Sequence, residues 1–515
     1  MDHHNSRAHT PSPIHSPFFR LALRRTLSFA AAVVLGLSTP GAVTAQDESG
    51  VTILGGDGQR GAVGEVLGRS FRVRVVDAGG GPIAGAAVQW NVIFGDAQLQ
   101  SGGVTTSDAN GEARNRLLLG SRVGLVQVAV RAAGADGSEI FTAKVDAEAD
   151  PVRSAFDRAC NDDLSRQAGV CAYVDGLSED DQLLVREELE PDEIAAQATV
   201  TQEIARAHLD AVTTRLVALR RGGVDQKRLG FFISGSTATA ERPRDLDEAA
   251  FDNDSTGLTV GLDYRFGDSA VVGVAAGAFD ADADFFDDAG SLDVESQWVS
   301  LYLGKTWASG VYLHGVAGVG TGDYDAVRNI DLPVAFRGKT RFAAVGTPDG
   351  DQTAAQLELG YTRKLQSELV LTGFLRGRYI DLTIDGYREI GDADGLGFYL
   401  DVLEQNVESL MVEGGFDLAW PLKRRWGTLT PSVQLSLVRE LDDQGEPIRA
   451  RFLDDPNANL LVLPTAEPDE NFINFSAGLI AHLNNGTGLF VHYSIDLERA
   501  DYELEELRGG VSFSF

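Results

Sequence analysis

The sequence predicts an all-β chain with a helical linker: a β-sandwich, then one long helix, then a 12-stranded antiparallel transmembrane β-barrel. Three observations carry this. Apolar and polar side chains alternate with period two in segment after segment from about Leu229 to Phe515, as in strands that face lipid on one side and water on the other. Just before them, residues 191–219 show helical periodicity instead. The region up to residue 149 is a series of short β-type segments cut by Gly- and Asp-rich turns.

Composition narrows the class. At 515 residues the chain holds more than one domain. Its hydrophobic fraction is 43%, and past the N-terminal segment no run reaches the roughly eighteen apolar residues of a membrane helix. Lys and Arg number 44 against 76 Asp and Glu, a formal charge of −32, which argues against nucleic acid as a partner because phosphate is held by basic faces. Acidity with 58 Gly suits a barrel with long polar loops.

Residues 1–45 read as a signal peptide. Arg20, Arg24 and Arg25 precede a short apolar core at residues 27–37, and the small residues Val43-Thr44-Ala45 place a cut after Ala45. Residues 46–149 form the sandwich, with strands expected at 70–76, 86–94, 112–119, 124–131 and 139–145, and Trp90 in its core. This module has no His and no Cys. Residues 150–190 form a polar, helical linker that holds Cys160 and Cys171, the only cysteines. A close, even pair in an exported chain forms a disulfide, and the rival metal or redox reading lacks a nearby His and the C-x-x-C spacing. Such a bridge braces local structure by about 3 kcal/mol at most.

Residues 191–223 are expected to be a pore-spanning helix. Pro191, Asp192 and Glu193 suit its start, Arg215, Arg220 and Arg221 its end, and Gly222-Gly223 stops it. Ile194, Ala198, Ala205, Leu209, Val212, Leu216 and Leu219 recur at helical spacing, with Arg206 and Asp210 among the residues on other faces. Such a helix is about 40 Å long, enough to cross a hydrocarbon layer of about 30 Å, yet too polar to touch lipid. A polar-lined pore is its expected home.

Residues 224–515 supply that pore. Leu258, Val260, Leu262, Tyr264 and Phe266 alternate with Thr259, Gly261, Asp263 and Arg265, and similar runs recur. About twelve strands follow, near 229–235, 256–267, 269–280, 294–307, 310–323, 353–365, 368–383, 405–421, 426–439, 471–484, 487–498 and 503–515. Gly267-Asp268-Ser269, Ala308-Ser309-Gly310 and Asn484-Asn485-Gly486 are tight connections, whereas 280–293 and 441–471 are expected as long outside loops. Asp263, Arg265, Arg376, Arg378, Glu413 and Asp417 are the pore-lining candidates, and Arg206, Asp210 and Arg215 the helix charges. Whether these pair with one another or sit in pore water is open.

Two resemblances follow. The stretches 56–64, 74–77, 82–86 and 106–111 of the first module resemble the bacterial Ig-like domains of intimin and invasin proteins, which implies a surface spacer or adhesive unit. The barrel, the helix ending in Arg221-Gly222-Gly223 and the terminal Val511, Phe513 and Phe515 resemble a monomeric autotransporter, a type V secretion protein. That resemblance implies a barrel in the outer membrane of a Gram-negative bacterium, a plugging helix, an Ig-like passenger at the cell surface, and Val511, Phe513 and Phe515 as the barrel-assembly signal. The implied partners are outer-membrane lipid and lipopolysaccharide, the barrel-assembly machinery and an extracellular surface ligand, for a monomer. The passenger is shorter than the β-helical ones of many relatives, and the helix has no Asn-Asn pair of the kind some relatives cleave, so the passenger is expected to stay attached.

No cofactor, metal or catalytic residue is expected. Gly267-Asp268-Ser269 echoes the start of an esterase motif but falls in a tight turn without an Asp-x-x-His partner. His314, His482 and His492 sit in strands without metal-like spacing. The acidic run 280–284 lacks the Gly and Glu of a calcium loop and reads as a solvated outside loop. The leading function is display of the passenger, plausible in adhesion; a surface hydrolase or a porin-like channel are the alternatives.

Overall fold

The computed structural model describes residues 50–515 apart from 68, 78, 136, 147–155, 157–159, 161–168, 223–226, 244–248, 366–367, 442–446, 454, 456–458, 464, 466–470, 498 and 500–501. The expected signal peptide therefore lies outside the described residues.

Among the described residues the N-terminal β region holds ten strands: β1 Gly50–Gly55, β2 Gln59–Ala62, β3 Phe71–Val76, β4 Ala87–Phe94, β5 Ala97–Leu99, β6 Val104–Thr106, β7 Glu112–Asn115, β8 Leu117–Leu119, β9 Gly124–Ala132 and β10 Glu139–Asp146. A three-stranded sheet, β1-β3-β7, and a five-stranded sheet, β2-β10-β9-β4-β6, enclose one core, and β5 pairs with β8. Inward residues alternate along each strand, as in Phe71, Val73 and Val75 or Val126, Val128 and Val130. Phe71 stacks on Phe141 at 4.4 Å between centroids, and the indole of Trp90 is buried with its Nε1 donating to Thr105 Oγ1 at 2.8 Å. The single strand expected at 112–119 is two, because β7 pairs with β3 while β8 pairs with β5. β1, β2, β5 and β6 had no sequence signal of their own: they are three to six residues long, too short for an alternation to stand out.

The described part of 150–190 is folded against the barrel, and not a free linker. α1 Val170–Asp175 and α2 Glu179–Glu187 bury Val170, Val174 and Val185 on a platform of Ile330, Phe336, Phe342, Phe398, Ile448 and Phe452. Ser178 caps α2 by accepting from the Asp181 N–H. Cys160 and Cys171 are joined by a disulfide. A 3₁₀ turn, Asp192–Ala195, leads into α3 Ala196–Arg221, with Arg220 and Arg221 in its last turn where the carbonyl end favours cations. Among the described residues no helix is long and apolar enough to cross a membrane.

Twelve strands then close a barrel: β11 Leu229–Arg242, β12 Phe251–Phe266, β13 Ala270–Phe285, β14 Gly290–Thr306, β15 Val311–Phe336, β16 Asp349–Lys364, β17 Val370–Ile384, β18 Gln405–Ala419, β19 Gly427–Glu440, β20 Asn471–Leu483, β21 Thr487–Leu497 and β22 Glu503–Ser514. Every neighbouring pair is antiparallel, and β11 closes on β22 with Gly230 opposite Ser514 and Glu241 opposite Glu503. No edge of the twelve is left open, which satisfies backbone groups in a lipid layer.

Two expectations about the loops change. Residues 280–284 are not a loop: β13 runs on to Phe285 and turns into β14 through residues 286–289, with Asp280, Asp282 and Asp284 outward and Ala281 and Ala283 inward. An Asp-Ala-Asp-Ala-Asp run has the period of a strand, and above the lipid its outward side simply meets water. β15 extends to Phe336 and hairpins back through Lys339–Gly346, and the connection at 441–470 contains Ile448–Phe452 and Leu461–Leu463, which pair with each other. These extensions build the platform under α1 and α2.

Candidate functional site

The site is the barrel lumen with α3 inside it. The helix enters at the long-loop end, where Gln197 donates to the Tyr387 hydroxyl at 3.0 Å and receives from Gln405 Nε2 at 3.2 Å. It leaves at the short-turn end, where Arg221 bonds Asp417 and Ser432 and Arg220 donates to Thr362 Oγ1 at 2.7 Å.

α3 lies against one wall. Val200, Ile204, Leu209, Val212 and Leu216 share a core with Phe232, Phe251, Phe279, Trp298 and Tyr302 from β11 to β14. His208 stacks on Trp298 at 5.4 Å between centroids and its Nε2 is 3.0 Å from Ser300 Oγ. The approach needs small wall residues: a Cβ on Gly277 would stand 2.6 Å from His208 Nδ1, and one on Gly230 would stand 2.4 Å from Arg215 Nη2. The expected polar-lined pore is therefore half apolar, because the helix's weakly apolar stripe finds a matching wall.

The other side of the helix faces polar side chains and a cavity of about 110 Å³, lined among others by Asp210, Thr214, Gln434, Ser476, His492 and Glu506. Ion pairs cross from helix to wall. Arg215 Nε donates to Asp263 Oδ2 at 2.8 Å, and the Tyr302 hydroxyl donates to the same oxygen at 3.1 Å. Arg206 forks onto both oxygens of Asp496 at 2.7 and 3.0 Å. Arg378 donates to Asp210 at 2.6 Å and to Gln356 Oε1 at 2.9 Å, and Gln356 in turn donates to Thr213 at 2.7 Å. Arg508 donates to Thr214 Oγ1 at 3.1 Å.

Arg206, Asp210 and Arg215 thus each meet an opposite charge on the wall, as do Asp263, Arg378 and Asp417 on the helix. Arg376 makes its ion pairs on the wall. It bridges Glu358 and Glu413 along the wall, at 2.6 and 2.7 Å, and Glu413 also accepts from Ser436. Arg265 sits at the short-turn end of β12, near Asp268 of the adjoining turn. Asp496 and Arg508, both nearly closed off from solvent, went unrecognised in the sequence, although they share parity with the inward positions of β21 and β22.

The lipid side is equally ordered. Leu258, Leu262, Tyr264 and Phe266 point outward and exposed, as do Leu301, Leu359, Phe416 and Leu435. Phe513 and Phe515 stand on the same outward side, with Val511 half-buried between neighbours. Gly267-Asp268-Ser269 forms the tight turn between β12 and β13. His208 and Ser300 touch, but both are sealed in the helix–wall contact and do not line the cavity. Among the described residues no three His, Cys, Asp or Glu side chains converge as a metal site requires.

A closed barrel of lipid-facing strands, threaded by the helix that precedes it in sequence, defines an outer-membrane β-domain of the translocator kind. The sequence profile of the autotransporter beta-domain matches residues 231–494, and the chain belongs to that family. Barrels of this family sit in the Gram-negative outer membrane. The fold is similar to the translocator domain of autotransporter NalP from Neisseria meningitidis, 18% identical with a TM-score of 0.46, over 62% of this chain and 99% of that one. It is similar too to the beta domain of the Bordetella autotransporter BrkA, at 18% identity and a TM-score of 0.41, over 56% of this chain and all 100% of that one. The transport unit of AIDA-I from Escherichia coli matches at 10% identity and a TM-score of 0.35, over 59% of this chain and 98% of that one. No curated protein matches the chain.

Proposed function

We propose that the chain anchors itself in the outer membrane and displays its own N-terminal β module, residues 46–149, on the cell surface, where the module acts by binding in adhesion and not by catalysis. One observation carries this reading: α3 runs from the long-loop end of the lumen to the short-turn end, so whatever precedes the helix starts from the long-loop side. In outer-membrane barrels the long loops lie outside the cell and the short turns in the periplasm. The Ig-like character of the module and its retention on the barrel belong to the same reading. Outer-membrane lipid and lipopolysaccharide surround the apolar band, and the outward row of Val511, Phe513 and Phe515 is the segment offered to the barrel-assembly machinery.

The test is protease treatment of intact cells. The module is expected to be cut while the barrel stays whole. Protection of the module until the outer membrane is permeabilised would overturn surface display.

A further inference from the structure

The module contains nine Arg or Lys and nine Asp or Glu between Gly50 and Asp146, so the whole excess of −32 lies elsewhere in the chain. Within this neutral module the cations are not spread evenly. On the outward face of the three-stranded sheet, Thr52, Arg74 and Glu112 stand opposite one another in one row, and Arg72 faces Arg114 in the next. Val73, Val75 and Ala113 alternate with them and are buried, so the arginines cannot turn inward. Arg74 and Arg114 are exposed and Arg72 is half-buried. Their recorded partners are weak: Glu112 is 3.6 Å from Arg114, and Arg72 Nη2 is 3.4 Å from the Leu54 carbonyl. Like charges directly opposite across a strand pair cost stability, so the Arg72–Arg114 pairing is unfavourable for the sheet alone.

We propose that this face, at Arg72, Arg74 and Arg114, binds a sulfated polysaccharide. Three guanidinium forks on two adjacent strands present planar paired donors, the geometry that sulfate oxygens accept two at a time. Adjacent strands set about 5 Å between the facing arginines, and the step from Arg72 to Arg74 is about 7 Å, so the anion is a repeating chain and not a single ion. Membrane phosphate is the poorer candidate. At the upper edge of the barrel Asp254, Asp282, Asp293 and Asp325 face one another in register across β12 to β15, all outward, so the chain meets the headgroup layer with carboxylates. The proposal gives a ligand class to the surface-display reading and takes its biological setting from it.

The test uses the full chain in detergent micelles, with immobilised heparin as the probe. The natural sequence is expected to bind, and Arg72→Ala with Arg74→Ala and Arg114→Ala to weaken binding at least about tenfold with a shallower salt dependence. Arg131→Ala with Lys144→Ala, on the other sheet, is expected to change it by less than about twofold. The triple variant should melt no lower than the parent, because it removes a like-charge pair, and an Arg→Lys triple should recover only part of the affinity. Absence of heparin binding, or full binding by the triple alanine variant, overturns the proposal. Equal binding to desulfated heparin overturns the assignment of sulfate, and equal binding to lipopolysaccharide micelles moves the ligand to the membrane. These readouts use purified protein, so they are independent of the protease result on cells.

Discussion

At the scale of single residues, the lumen is held by buried charges, paired across the seam as Arg215 is with Asp263 and Arg206 with Asp496, or along the wall as Arg376 is with Glu358 and Glu413. Removing one member leaves the other in a low-dielectric site, at a cost of about 3–5 kcal/mol, whereas replacing both by apolar groups of similar volume is close to neutral. Asp263→Ala is therefore expected to lower the urea midpoint of the detergent-solubilised barrel sharply, because Arg215 is tucked against Gly230 and both it and the Tyr302 hydroxyl donate to the lost carboxylate. Asp263→Leu with Arg215→Met should regain most of the loss. Asp263, Arg378, Glu413 and Asp417 were readable as inward because a strand's parity is visible in its letters. Their partners were not, since the match of Arg206 to Asp496 spans almost 300 residues and depends on the rotation of α3, which its mild amphipathicity leaves open.

At the scale of elements, the cap formed by α1, α2 and the 3₁₀ turn sits on the outer platform with acids in its seam. Glu188 accepts from the Asp331 N–H at 3.2 Å, and burial raises its pKa above the ordinary glutamate value. Burial also pushes the Glu193 carboxyl well up, with Asp192 adding to it. A carboxyl whose folded pKa is raised binds more protons when docked than when released, so docking is weakened as pH rises through the raised values and strengthened as it falls toward the unperturbed one. Hydrogen exchange in residues 170–187, corrected for the intrinsic rate, is expected to be slower at pH 5 than at pH 7.5. Faster exchange at pH 5 would contradict it. The helices of this segment were legible from composition, but their docking was not. Val170, Val174, Val185 and Leu189 are sparse among charges, and the surface they meet is built by residues 330–461.

At the scale of the whole molecule, α3 is a plug that leans on one wall and leaves a narrow polar cavity along the other. Deleting residues 191–219 is expected to raise single-channel conductance in planar bilayers several-fold; an unchanged conductance would favour the porin-like alternative. The number of barrel strands and their order could be read from alternation alone, because each strand that meets lipid on one face must separate its letters. The platform was hidden for the converse reason. Beyond the lipid both faces of a strand are free to be polar or packed, and β15 past Asp323 no longer advertises itself.

The switch of the outward face from Leu258, Ala278 and Val299 to Asp254, Asp280 and Glu295 within two to four residues acts as a waterline. It sets how deep the cylinder can float, since a thicker hydrocarbon layer would have to submerge carboxylates and a thinner one would strand leucines in water. The protein is thereby matched to one thickness of leaflet, and its draught, more than any single contact, holds the outer platform and everything it carries at a constant height above the surface.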